Sequence, residues 1–273
     1  MSPRWWQWPT VLSLDAPIVS VVWQINIARA VASPLDGARM FVLGASVWLA
    51  YVADRWIEAQ RLDSRDIQTP RHHFYCRHRA LTAGAWVVVL ATDLFVAMTR
   101  LTRVELGRGV VLLAAVLAYV LSHQYLHRKR RWRAPKEFLI AGLLTGGIAI
   151  FLAGTAPVFS LLTALTCFAL LCFTNCALIS AWERDVDIAQ DQESLALQAP
   201  AFVAAIRALP WLVAIVAATV AVTGHVPVIG YCAAVSAVLM GLIDRNEQRL
   251  GWPLARVLVD AVLLTPLAVL WPI

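Results

Sequence analysis

Five carboxylates stand where chemistry would need them. Asp54 and Glu58 lie in Tyr51-Val-Ala-Asp54-Arg55-Trp-Ile-Glu58, and Glu183, Asp187 and Asp191 lie in Trp182-Glu183-Arg184-Asp185-Val-Asp187-Ile-Ala-Gln-Asp191. Members of each set are four residues apart, so on a helix each set forms one acidic face. Both sets close long apolar stretches. Acids beside a bilayer are costly and neighbouring acids repel, so each face calls for a counter-charge. A divalent cation is the common partner for such a face.

The elements that must position these acids are legible from composition. The chain is 60% hydrophobic and 15% charged, with a mean hydropathy of +0.69, against roughly half apolar and a quarter charged in a soluble domain. Its apolar runs are continuous rather than alternating, which excludes a membrane barrel and points to spanning helices of roughly 20 residues. Nine spans are expected, at 16–32, 39–58, 82–99, 106–126, 136–155, 158–182, 202–222, 227–243 and 254–272. Turn residues separate them: Ser33-Pro34-Leu35-Asp36-Gly37, Ala156-Pro157, Gly224-His225-Val226-Pro227 and Gly251-Trp252-Pro253. The expected fold is therefore all-α, a polytopic membrane bundle of nine transmembrane helices. It forms one integral-membrane domain over 1–273, with cytoplasmic cap loops after helices 2 and 6, at about 59–81 and 183–200. Asp15, Asn26 and Arg29 interrupt the first apolar run, so it reads as a retained helix rather than a cleaved leader.

The net charge of +6 is not a nucleic-acid signal, because the basic residues are concentrated in alternate connections. Seventeen Lys and Arg residues fall on the ends that share a side with the N-terminus and five on the opposite ends, which places the N-terminus in the cytoplasm and the C-terminus outside. The expected location is the cytoplasmic membrane, and both acidic faces then lie on its inner side. Cys76, Cys167, Cys172, Cys176 and Cys232 read as small buried hydrophobes rather than a disulfide frame. His72, His73, His78, His123 and His127 lack a metal-binding spacing and read as solvated loop residues. Trp5, Trp6, Trp8, Trp132, Trp252 and Trp271 suit interfacial belts. Gly142, Gly146 and Gly147 suit close helix approach.

The two acidic clusters end spans 2 and 6, four helices apart and in the same orientation, as in a duplicated four-helix unit with a ninth helix added. Two equivalent helix ends of this kind can face each other across one cavity. Between them runs the inner loop Tyr125-Leu-His127-Arg128-Lys129-Arg130-Arg131-Trp-Arg133-Ala-Pro135-Lys136. Its plain reading is a positive-inside anchor. Its sharper reading is an anion site beside a metal: Mg²⁺ favours a few carboxylates plus phosphate oxygens, and Arg and Lys take the remaining oxygens. Together the three features make a diphosphate trap.

These residues resemble the UbiA superfamily of intramembrane prenyltransferases over nearly the whole chain. Asp54-Arg55-Trp56-Ile57-Glu58 is similar to the second half of the family's first motif, with Ala50 at its leading Asn position and Glu58 at an Asp position. Glu183, Asp187 and Asp191 fill the second motif, with Glu again replacing one Asp. Tyr125, Lys129, Arg130, Pro135, Gly142 and Gly146 are similar to the family's Tyr-x-x-x-Lys-Arg…Pro…Gly run, and Thr69-Pro70-Arg71 stands where the family often has an Arg-Pro element.

The resemblance implies Mg²⁺-dependent transfer of an isoprenyl group from a prenyl diphosphate to a hydrophobic or aromatic acceptor inside the membrane. Metal and basic side chains would neutralise the leaving diphosphate while the bundle excludes water. It implies that Asp54, Glu58, Glu183, Asp187 and Asp191 hold Mg²⁺, that Arg71, Lys129 and Arg130 bind diphosphate, and that Tyr125 orients phosphate or shields the cation. Asp54, Asp187, Lys129 and Tyr125 are the expected catalytic residues. Asp93 and Asp260 lie deeper, in spans 3 and 9, and each reads either as a functional acid or as a hydrogen-bonded side chain within the bundle; Asp260 is the candidate contact for the acceptor. The expected partners are the prenyl diphosphate, the acceptor and membrane lipid, with no nucleic acid and no protein partner. A terpene cyclase using the same diphosphate site, and a membrane scaffold or transporter that retains the fold, are the alternatives.

Overall fold

The structure, a computed structural model, describes residues 3–61, 70–121, 136–189, 194–198, 201 and 203–270, with only the helical backbone at Glu58 and Arg71. Helices occupy all nine apolar stretches, and the described residues contain no strand. After the short α1 (Trp8–Val11) come α2 (Asp15–Ala30) and α3 (Gly37–Arg61), the helix that carries the first acidic motif. A short amphipathic α4 (Pro70–Arg77) leads into α5 (Arg79–Arg100), α6 (Arg103–Leu121) and α7 (Lys136–Leu152). The second half holds α8 (Val158–Trp182), the short α9 (Arg184–Ala189) and α10 (Leu195–Gln198), then α11 (Val203–Thr223) and α12 (Pro227–Arg245). The chain ends in α13 (Glu247–Leu250), α14 (Trp252–Ala261) and α15 (Leu267–Leu270).

Among the described residues, six helical segments are long and apolar enough to cross a membrane: Gly37–Ile57, Arg79–Arg100, Val158–Trp182, Val203–Thr223, Pro227–Arg245 and Trp252–Leu270. A seventh arises if Trp5–Val11 and Asp15–Ala30, bent by 77°, count as one span. The chain is an integral membrane protein, and these six or seven segments fall within seven of the nine expected spans. The described part of α7, 17 residues, reaches about 25 Å, at the lower end of spanning lengths.

Turn chemistry sets the helix boundaries. Gly224 (φ 81°) and Gly251 (φ 77°) adopt left-handed backbone at the α11–α12 and α13–α14 joints, a region closed to most L side chains. Pro227 and Pro253 follow them at the first helical positions of α12 and α14, where a missing N–H is harmless.

The core is built around α8. Its residues Ala164, Phe168, Leu171, Ala177 and Leu178 are completely buried, and it packs against α2, α7, α11, α12 and α14. Trp23 of α2 is likewise buried: its ring lies 5.4 Å from that of Phe168, and its indole N–H donates to the Leu263 carbonyl at 2.8 Å. The tightest helix pair is α11–α12, where Gly230 abuts the Ala217 and Ala221 backbone. By contrast α5 is peripheral and packs mainly on α3; Val87, Val88, Leu94, Phe95 and Met98 face outward, as lipid-facing side chains should.

The three glycines singled out in α7 divide. A Cβ on Gly147 would come within 2.8 Å of Leu43 and one on Gly146 within 3.2 Å of Leu112, so both serve close helix approach. A Cβ on Gly142 would meet nothing within 4 Å among the described residues, so no such approach is seen there.

Polar contacts pin one end of the bundle. Arg39 of α3 donates to Glu105 of α6 at 2.6 Å and to Asp36 at 2.7 Å, and Arg108 of α6 caps the end of α7 through the Ala153 carbonyl at 2.7 Å. At the other end α4 folds back on α1 and α3. There the Tyr75 hydroxyl meets Ser13 at 3.0 Å, and burial raises the Tyr75 phenol above its usual range against the opposing pull of that hydrogen bond.

Candidate active site

The second acidic motif begins where α8 stops. The Glu183 N–H still donates to the Ile179 carbonyl, and the Glu183 carbonyl accepts from Asp187 N–H at 2.8 Å, so the chain continues into α9 with both acids held on successive turns. Glu183 and Asp187 are each only 5% exposed. Carboxylates this deep require compensating charge, and Glu183 finds it in Arg256 of α14, whose guanidinium donates to Glu183 Oε1. The Arg256 Nε is also buried, with no hydrogen-bond partner among the described residues.

A second contact two helical turns earlier fixes α14 against α8. The Asn175 side-chain amide donates to the Val259 carbonyl and to Asp260 Oδ1, both at 3.0 Å. Asp260 is therefore a hydrogen-bonded acid at an interhelical seam. It also lies within electrostatic reach of Asp15, Arg256 and Glu183. One helical turn along α14, Arg256 feels Glu183, Arg55 and Asp260.

Arg55 belongs to the first acidic motif. Its charge reaches Arg256 from α3, while Glu183 reaches the same guanidinium from the end of α8. The two motifs, far apart in sequence, thus converge on one residue of α14. Tyr51, one turn before Arg55, shares this environment with Asp15, Cys172 and Cys176, and Cys176 in turn lies near Glu137, Asp260, Lys136 and Arg256. Asp54 and Asp187 both take part in polar or electrostatic contacts.

Glu137, the second residue of α7, is 1% exposed. Its Oε1 accepts the Leu195 N–H of α10 at 3.0 Å, tying the segment after the second motif to α7, while Oε2 is buried with no hydrogen-bond partner among the described residues. The Trp182 indole donates to Asp244 of α12 at 3.0 Å, which makes Trp182 an interhelical packing residue. Asp93 is resolved similarly: it accepts from Ser46 of α3 at 2.9 Å and joins the peripheral α5 to the bundle.

The remaining expected site residues divide by position. Tyr125, Lys129, Arg130 and Asp191 lie outside the described residues, as do the side chains of Glu58 and Arg71. Among the described residues no three or more His, Cys, Asp or Glu side chains gather closely enough to hold a metal by themselves. The donor chemistry nevertheless suits Mg²⁺ in part, because Asp54 and Asp187 are hard oxygen donors. Glu183 has a cationic partner in Arg256.

Residue spacing did not single out Asn175, Glu137, Asp15 or Arg256. Asn175 carries one visible signal: it precedes Glu183 by eight residues, two turns along the same face of α8. Glu137 and Arg256 carry none, since each sits in an ordinary positive-inside setting.

No family model matches the chain, and no curated protein does. Among solved structures it is similar to the apo structure of a UbiA homolog from Aeropyrum pernix K1. The likeness has a TM-score of 0.57 at 17% identity, covering 93% of this chain and 97% of that one. The chain therefore has a UbiA-like fold.

Proposed function

We propose that the chain belongs to the UbiA superfamily and transfers an isoprenyl group from a prenyl diphosphate to a hydrophobic or aromatic acceptor within the membrane, with Mg²⁺. The observation that carries the reading is that Arg256, hydrogen-bonded to Glu183 of the second motif, also lies within electrostatic reach of Arg55 of the first. Two arginines held near a buried acid suit a phosphate site. The UbiA-like fold supports the same reading.

Asp54 and Glu58 on α3, and Asp187 with Asp191 after α8, are the residues that would hold Mg²⁺. Bound there, the metal would draw charge from the diphosphate oxygens as the allylic bond weakens. Arg71, Lys129 and Arg130 bind the diphosphate, and Tyr125 orients it. Arg55 and Arg256 add fixed positive charge close to the acids. The apolar core around α8 keeps water from the developing cation, which would otherwise be hydrolysed. Asp260, one helical turn along α14 from Arg256, is the candidate contact for the acceptor.

The test is prenyl transfer by the membrane-reconstituted chain, with and without Mg²⁺, in wild type, Asp54→Asn and Asp187→Asn. Undiminished transfer in both variants overturns the assignment. A cyclised rather than prenylated product points to the same diphosphate site used without an acceptor. Folded protein that neither binds nor turns over a prenyl diphosphate points to a transporter or scaffold.

A further inference from the structure

We infer that Arg256 takes, as a built-in cation, the place a divalent ion would fill against Glu183, so that Glu183 is not a metal ligand in this chain. The inference rests on the proposed diphosphate site and narrows its metal set.

Spacing alone places Glu183 with the metal-binding acids: it starts the acidic face that Asp187 continues. Its environment assigns it otherwise. The Arg256 guanidinium donates directly to its carboxylate, and the two side chains are only 13% and 7% exposed. Neither partner is free to drift. Glu183 is locked by backbone hydrogen bonds to Ile179 and from Asp187. Arg256 rides on a helix that Asn175 clamps to α8 at Val259 and Asp260. A guanidinium stays charged under all ordinary conditions, so the pair persists whether or not metal is present.

A divalent ion on Glu183 would also sit beside Arg256 and within reach of Arg55. In a buried setting such like-charge repulsion is poorly screened. Asp260, the other acid acting on Arg256, is already engaged by the Asn175 amide. The arrangement therefore favours one permanent monovalent charge at Glu183 over an exchangeable divalent one. If Arg256 were removed, Glu183 would become a buried carboxylate without its cation, beside Asp187, and would turn into a metal ligand.

The experiment is a titration of the full-length chain in detergent with Mn²⁺ alone, following the electron paramagnetic resonance signal of the free ion. Wild type and Glu183→Gln should bind Mn²⁺ with the same stoichiometry, Glu183→Gln more weakly by only a few-fold because Arg256 is left uncompensated, whereas Asp54→Asn should weaken binding at least about tenfold. Arg256→Gln should gain one bound ion per chain, or bind about tenfold more tightly, and the Arg256→Gln/Glu183→Gln double variant should lose that gain. Arg256→Lys, which keeps the charge, should match wild type. Loss of Mn²⁺ binding in Glu183→Gln comparable to that in Asp54→Asn overturns the inference while leaving the metal site itself intact, as does a folded Arg256→Gln that gains nothing. Wild type that binds no Mn²⁺ overturns the inference together with the metal reading beneath it. Should Arg256→Gln fail to fold, the Glu183→Gln and Arg256→Lys titrations decide the matter.

Discussion

A buried carboxylate shows its purpose by what neutralises it. Glu183 is paired with an arginine and Asp260 accepts a hydrogen bond from an amide, and Asp54 and Asp187 are the described acids assigned to the metal. Asp54→Asn and Asp187→Asn should each lower kcat/KM for prenyl transfer at least about a hundredfold, because they remove charge that acts on the leaving diphosphate; steady-state kinetics at saturating Mg²⁺ measures this. Asn175 belongs to the scaffold beneath. Replacing it by Leu leaves the Asp260 carboxylate without its donor, and the expected loss is about 1–3 kcal/mol of stability, read as a lower unfolding midpoint. Residue spacing identified both acidic faces because a four-residue period is local. It did not identify the Arg256–Glu183 pair, whose members are 73 positions apart and each follow an ordinary pattern by themselves. Nor did it separate Asp93 from Asp260, since partners on α3 and α8 decide what each acid does.

At the scale of elements the same division holds. The apolar runs and their Gly and Pro punctuation foretold helices where the described residues overlap those stretches, because helix ends are set by local backbone chemistry. They did not foretell the sharp bend through which α2 is entered from α1. Packing roles of individual glycines were equally hidden. Gly230 faces the α11 backbone, with Ala221 N 2.4 Å from where a Cβ would lie, whereas Gly142 meets nothing within 4 Å among the described residues. Gly230→Val should therefore separate α11 from α12 and cost about 1–3 kcal/mol or more. Gly142→Ala should be neutral or slightly stabilising, by up to about 1 kcal/mol, through helix propensity. Thermal unfolding of the two variants in the same detergent distinguishes these outcomes.

For the whole molecule, six described helices fit to cross a membrane and a UbiA-like fold make a lipid-embedded bundle. Its charge asymmetry gives a topology that can be checked directly. Reporter fusions should be active in the cytoplasm at the N-terminus and outside at the C-terminus, and the reverse pattern would move the acidic site to the wrong face of the membrane. The central claim is that the bundle holds a prenyl diphosphate through metal-bridged acids on α3 and after α8. Binding of a series of prenyl thiodiphosphates of increasing chain length, measured by calorimetry on the reconstituted chain with Mg²⁺, tests it without requiring the acceptor. At least one analogue should bind, with binding lost on chelation and weakened at least about tenfold by Asp54→Asn and by Asp187→Asn. Absence of binding at every chain length, or binding indifferent to Mg²⁺ and to both substitutions, would contradict it.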